Sequence, residues 1–178
     1  KKDIKYCSYT GKGDVHGPNI KLPSEYKLPG KMRLESTLPA MNMTAQKLVV
    51  NGDSTSMTAP GQNFPVSDAD RQRYQEQAYP FTEINYSKPG YSLQLAPMLE
   101  NVDGKDAYLI TVTAPSGTVS KKYYDAETGL KLKEEITSNQ GSSTFTYSDY
   151  KEVSDIMFPF TQSISQQVDF NLKVTEVK

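Results

Sequence analysis

The sequence predicts a mainly β protein with minor α content: a strongly curved, antiparallel, unclosed half-barrel with one helix packed in its concave face. Three observations lead there. Apolar residues recur with a period of two along most of the chain, Gly, Pro, Asn and Asp clusters punctuate those runs, and only one stretch carries a helix-start signal. A sheet of nine to twelve strands does not stay flat, so it curls, and the helix is the element available to cover its hollow.

In chain order, DIKYCSYTGKGD (3–14), NIKLPSEYKL (19–28), GKMRLESTL (30–38) and TAQKLVVNGD (44–53) read as four strands separated by Gly-Pro, Pro-Gly and Asn-Gly-Asp turns. The helix starts at Ser67, where Ser-Asp-Ala-Asp forms a capping box with two early acids at the positive helix end. It runs about 12 residues and stops before Pro80. YSLQLAPML (91–99) and AYLITVT (107–113) follow as strands joined through the turn NVDGKD. In the second, Tyr108, Ile110 and Val112 share one face.

The segment YYDAETGLKLKEEI (123–136) reads as a hairpin. Asp125 is placed to accept a backbone amide two or three residues on, and Gly129 supplies a positive φ. Beyond the turn, Leu130, Leu132 and Ile136 fall on one face and Lys131, Lys133 and Glu135 on the other. Three further strands bring Phe145 and Tyr147, then Ile156, Phe158 and Phe160, then Phe170, Leu172 and Val174 to single faces. Prolines 23, 39, 97 and 159 belong at bulges, edges or bends rather than in a central ladder.

Composition narrows the function classes. With 178 residues the chain forms one domain, 1–178. Twenty basic residues against 21 acidic ones provide no field for nucleic acid. No apolar run reaches the roughly 20 residues of a spanning helix, so the chain does not cross a membrane that way. It opens KKDIKYCSYT, with no initiating methionine or apolar leader, and reads as a mature or trimmed form. Cys7 is the only cysteine, which excludes an internal disulfide, and the residues before it do not form a lipid-attachment motif.

Catalytic chemistry is poorly provided for. His16, the only histidine, has no spaced partner and reads as a surface residue. Gly11-Lys12-Gly13 lacks the spacing of a phosphate loop and reads as a strand bend. Asp103, Asp106, Asp125 and Glu127 sit in turns, and Glu134 and Glu135 point to opposite faces of one strand. No metal or cofactor is implied, and the chain is read as non-enzymatic.

The residues with a positive pattern are Leu130, Leu132, Phe145, Tyr147, Phe158 and Phe160, aligned on neighbouring strands. They form either an ordinary core or the lining of an apolar trough.

The run VTAPSGTVSKKYYDAETGLKLKEEI, followed by FTYSDYKEVSDIMFPF, resembles the C-terminal half of the lipoprotein-carrier (LolA/LolB-like) superfamily. It is more closely similar to the appendage that follows insulinase-type (M16-like) zinc protease modules in some Gram-negative bacteria. Tyr124, Asp125, Thr128, Gly129 and Leu130, then Ser-Asp-Tyr-Lys at 148–151 and Phe-Pro-Phe at 158–160, carry the likeness, which extends over 65–178. It implies a periplasmic or envelope domain whose half-barrel cavity accepts a lipid or lipoprotein acyl chain. The rival reading is a scaffold that packs on an envelope protein or peptidase module and binds no small ligand, with a filled concavity and an exposed apolar patch or unpaired edge strand elsewhere, as along 41–50. The carriers have an N-terminal helix before the first strand whereas this sequence starts almost directly in strand, so that helix is reduced or lies upstream, and the His-x-x-Glu-His zinc motif of the protease module does not occur in the sequence.

Overall fold

A computed structural model describes residues 5–14, 20–138, 141–165 and 170–178; His16 lies outside them. Among these residues the protein is mainly β, with one α-helix and a large antiparallel sheet that is not closed. Two compact units divide it: Lys1–Asn85 with Lys173–Lys178, and Tyr86–Leu172.

The first unit is a meander of β1 (Tyr6–Asp14), β2 (Ile20–Lys27), β3 (Lys31–Leu38), β4 (Met43–Asn51), β5 (Ser54–Ala59) and β6 (Gln62–Phe64), each antiparallel to the next. The registers Cys7↔Tyr26, Tyr26↔Met32 and Met32↔Val50 lay one buried row across four strands, which is this unit's core. Tyr9 stacks on Tyr26 with ring centroids 6.1 Å apart. Gly11 and Gly13 lie inside β1 opposite Leu22 and Ile20, so Gly-Lys-Gly is strand. β4 pairs with β3 from Met43 on and with β5 from Lys47 on, so the stretch 47–50 is not an open edge.

Helix α1 (Asp68–Gln77) starts where the capping box places it: the Ser67 hydroxyl accepts from the Asp70 amide at 3.1 Å. Arg73 pairs with Asp70 at 2.7 Å. The helix has no buried residue, and Gln75 Nε2 donates to the Gly52 carbonyl at the β4–β5 turn, 2.9 Å away.

The second unit contains β7 (Ser92–Leu95), β8 (Glu100–Val102), β9 (Lys105–Thr113), β10 (Val119–Asp125), β11 (Lys131–Ser138), β12 (Gly141–Val153) and β13 (Ile156–Ser165). β7 and β8 both pair with one side of β9, and β10 to β13 continue from the other. β14 (Phe170–Val177) begins in this unit and ends in the first. The strand order is β6-β5-β4-β3-β2-β1-β14-β13-β12-β11-β10-β9-β7, with β8 beside β9.

Turn chemistry explains the breaks. Ser154 and Asp155 both take positive φ between the paired residues Val153 and Ile156, the mirror-image turn that suits strand twist. Asp103 and Gly104 do the same between β8 and β9.

Pro23 and Pro159 depart from expectation in lying within interior strands. The pairing is interrupted near each. The β2–β3 register passes from Lys21↔Thr37 to Ser24↔Leu34 without a pair at Pro23, and Asp149, beside the partner of Pro159, adopts a φ of 52°. A ladder can admit a residue without an N–H where it is already broken.

Candidate functional site

The six trough candidates all fall in the second unit, on or beside strands β11, β12 and β13. Successive registers Ile110↔Lys122, Lys122↔Glu134, Glu134↔Phe145 and Phe145↔Ile164 draw one row across five strands, and cross-strand partners share a face. The row is apolar at both ends and ionic in the middle. Lys122 is only 2% exposed, and its Nζ lies 3.2 Å from Glu134 Oε1 and 5.2 Å from the centre of the Tyr86 ring.

Tyr147 lies on the same face, two positions from Phe145. Its hydroxyl donates to Glu134 Oε2 at 3.1 Å, and Lys131 Nζ stands 3.4 Å from that oxygen and 4.8 Å from the Tyr147 ring centre. Burying a charge costs free energy unless partners replace its water, and here a carboxylate, two ammonium groups and a phenol do so together.

Lys131 reaches this face through a bulge. Tyr123 pairs with Lys133 but Tyr124 pairs with Lys131, so β11 has one residue more than β10 and the alternation inverts across Leu132. Strict alternation places Lys131 with Lys133 and Glu135; the bulge carries it to Glu134 instead.

Lys133 and Glu135 stay on the other face, 2.6 Å apart, with the Tyr123 hydroxyl donating to Glu135 at 3.1 Å. Burial, reinforced by that hydrogen bond, pushes the Tyr123 phenol up to about 12. Glu134 and Glu135 therefore do not act as a pair.

Of the six candidates, Phe145, Tyr147, Phe158 and Phe160 share one face by the common β12–β13 register. Phe158 is buried, and Phe145, Tyr147 and Phe160 are half-buried. The Phe158 and Phe160 rings meet edge-on at 6.3 Å, and Lys151 Nζ lies 4.6 Å from the Phe160 ring centre. Leu132 is the bulge residue and Leu130 precedes β11; both are half-buried. The structure thus gathers the four aromatic residues and sets the two leucines apart, beyond the bulge.

Sequence reasoning did not pick out Lys122, Glu134 or Lys131 as one cluster. The available signal was a lysine in the middle of the predicted strand KKYY, on the alternate positions shared with Ser120 and Tyr124.

Asp125 anchors the hairpin end. Its Oδ1 accepts from the amides of Glu127 (2.9 Å) and Thr128 (3.1 Å), and Lys105 Nζ lies 3.0 Å from Oδ2. The Thr128 amide first, then Lys105 and the Glu127 amide, hold its carboxyl down to about 2. Gly129 closes the loop at a φ of +72°.

Among the described residues there is no group of three or more His, Cys, Asp or Glu placed to hold a metal ion, and no helix long and apolar enough to cross a membrane. The face offers aromatic surface beside a buried ionic cluster.

No family model matches the chain, and no curated protein matches it. Solved structures do. An outer membrane lipoprotein-sorting protein domain from Vibrio parahaemolyticus superposes with a TM-score of 0.73 at 13% identity, over 100% of this chain and 86% of that one. A LolA superfamily protein from Nitrosomonas europaea gives 0.67 at 15% identity, over 99% and 87%. A DUF1329 family protein from Desulfovibrio piger gives 0.67 at 13%, over 97% and 84%. The chain has the fold of these proteins, the one expected from the hairpin and Phe-Pro-Phe motifs.

Proposed function

We propose that the chain is a non-catalytic domain of the Gram-negative periplasm or envelope that binds a lipid or lipoprotein acyl chain on the aromatic face of its second unit. The observation that carries this reading is the set Phe145, Tyr147 and Phe160, brought to one face by a common register yet left half-covered, with Phe158 buried beside them. Rings held by strands at fixed spacing, and still accessible, give an acyl chain apolar area without ordering new side chains. Leu130 and Leu132 stand apart from this set, because the bulge inverts the alternation before it reaches them. The likeness to lipoprotein-sorting folds supports the same reading.

The whole of 1–178 acts as one carrier-type domain in this reading. If it stands in a longer polypeptide, the similarity of its hairpin region to the appendage of insulinase-type proteases makes a peptidase module the natural neighbour.

Native mass spectrometry before and after organic extraction tests the ligand. The expected result is an acyl-bearing species that co-purifies and is released on extraction. A bare mass that stays unchanged when fatty acid or phospholipid is offered overturns the reading and leaves an interaction module that packs on an envelope protein.

A further inference from the structure

The two ends of the sheet differ. One end strand, β6, has three residues and stands between Pro60 and Pro65. Proline and shortness are the usual devices that keep an edge from pairing with another chain. The other end, β7, has four residues with Pro97 two places beyond it, and neither end carries a charge; what sets β7 apart is the large apolar surface beside it.

The backbone of β7 is set for pairing. The Ala96 amide donates to the Leu109 carbonyl at 2.9 Å, so Ala96 and every second residue before it turn their polar groups toward β9. Leu93 and Leu95 consequently aim their N–H and C=O groups at the outer edge.

Around that edge the surface is apolar. Leu93 is 45% exposed, Leu95 61%, Met98 76%, Leu99 46% and Tyr108 47%. At on the order of 200 Å² per large side chain, this leaves on the order of 500 Å² uncovered, the upper end of what a monomer exposes in one patch. Two such patches together reach the roughly 1,000 Å² a specific interface needs.

We propose that β7 is a dimerisation strand, pairing antiparallel with β7 of a second copy of this chain. Gln94 sits on the two-fold axis. Leu93 of each copy exchanges both backbone hydrogen bonds with Leu95 of the other, four in all, and the leucines and Tyr108 cover one another. The segment is uncharged, so self-pairing brings no like charges together. An isologous contact uses the same edge on both copies and so consumes it, and assembly closes at two. The inference depends on neither reading of the aromatic face.

Sedimentation equilibrium over a range of concentrations reads this directly. The unaltered chain is expected to pass from the monomer mass to twice that mass as concentration rises. Leu93→Lys with Leu95→Lys places four ammonium groups in the contact and holds the chain at the monomer mass. Leu93→Pro removes only an outward N–H and has the same effect, with far-UV circular dichroism and melting temperature confirming the fold. Gln62→Lys, on the opposite edge, leaves the dimer intact. A monomer at every concentration overturns the proposal, as does a dimer that survives both leucine changes.

Discussion

Asp125 shows how much of a hairpin can rest on one carboxylate. It receives two amides and an ammonium group, and its acidity is displaced from the ordinary 3.8 to about 2. A carboxyl depressed in the folded state stabilises it fully above the unfolded value, and that contribution disappears as pH falls through the folded one. Stability should therefore decline between about pH 4 and pH 2, and Asp125→Asn should flatten that part of the profile while lowering stability at neutral pH. Urea titrations at stepped pH check this; an unchanged slope for the variant would exclude Asp125 as the source. The role was legible in the sequence, because Asp followed four residues later by Gly states its own turn geometry. Lys122 was not, since a buried lysine looks like any other lysine until its cross-strand partner is known.

The element that decides the site is the hairpin β10–β11, and its bulge is what alternation alone missed. An added residue leaves no mark in a run such as LKLKEEI, and only the pairing with β10 shows that Lys131 crosses to Glu134. Strands β5, β6 and β8 escaped for a related reason: STSMTA, QNF and ENV have too few apolar residues to display a period. The Lys122–Glu134 pair ties β10 to β11 inside the unit. Removing one partner strands a buried charge, so Glu134→Ala should cost about 3 kcal/mol or more. Replacing both, Lys122→Met with Glu134→Leu, should recover most of that loss. Denaturation of the single and the double variant distinguishes a pair that holds the strands from an incidental contact, for which the double change would cost at least as much as the single one.

At the scale of the molecule, the sequence carried the fold class well because it depends on many weak, redundant signals: period, turns and one cap. The architecture then recurs in proteins only 13–15% identical. Such divergence leaves packing periodicity intact while freeing individual side chains, so ligand specificity has to be tested on the face itself. Phe145 is the informative position, being half-buried and in the same cross-strand row as Glu134. Phe145→Ser should reduce uptake of a fluorescent fatty acid at least tenfold, about 1.4 kcal/mol, with the melting transition still cooperative. Loss of the fold together with binding would make this ring core instead of lining.

One contact bears on how such a chain is made. The Thr175 hydroxyl donates to the Thr10 carbonyl at 3.1 Å across 165 residues of sequence, and Ser8 and Lys178 exchange backbone hydrogen bonds at 2.8 Å. Each earlier hairpin can zip up as it emerges, but one flank of β1 must wait for the last strand to be synthesised. Through most of its birth the polypeptide carries an unfinished seam, and a ribosome that stalls before β14 releases a product able to recruit a stranger's strand.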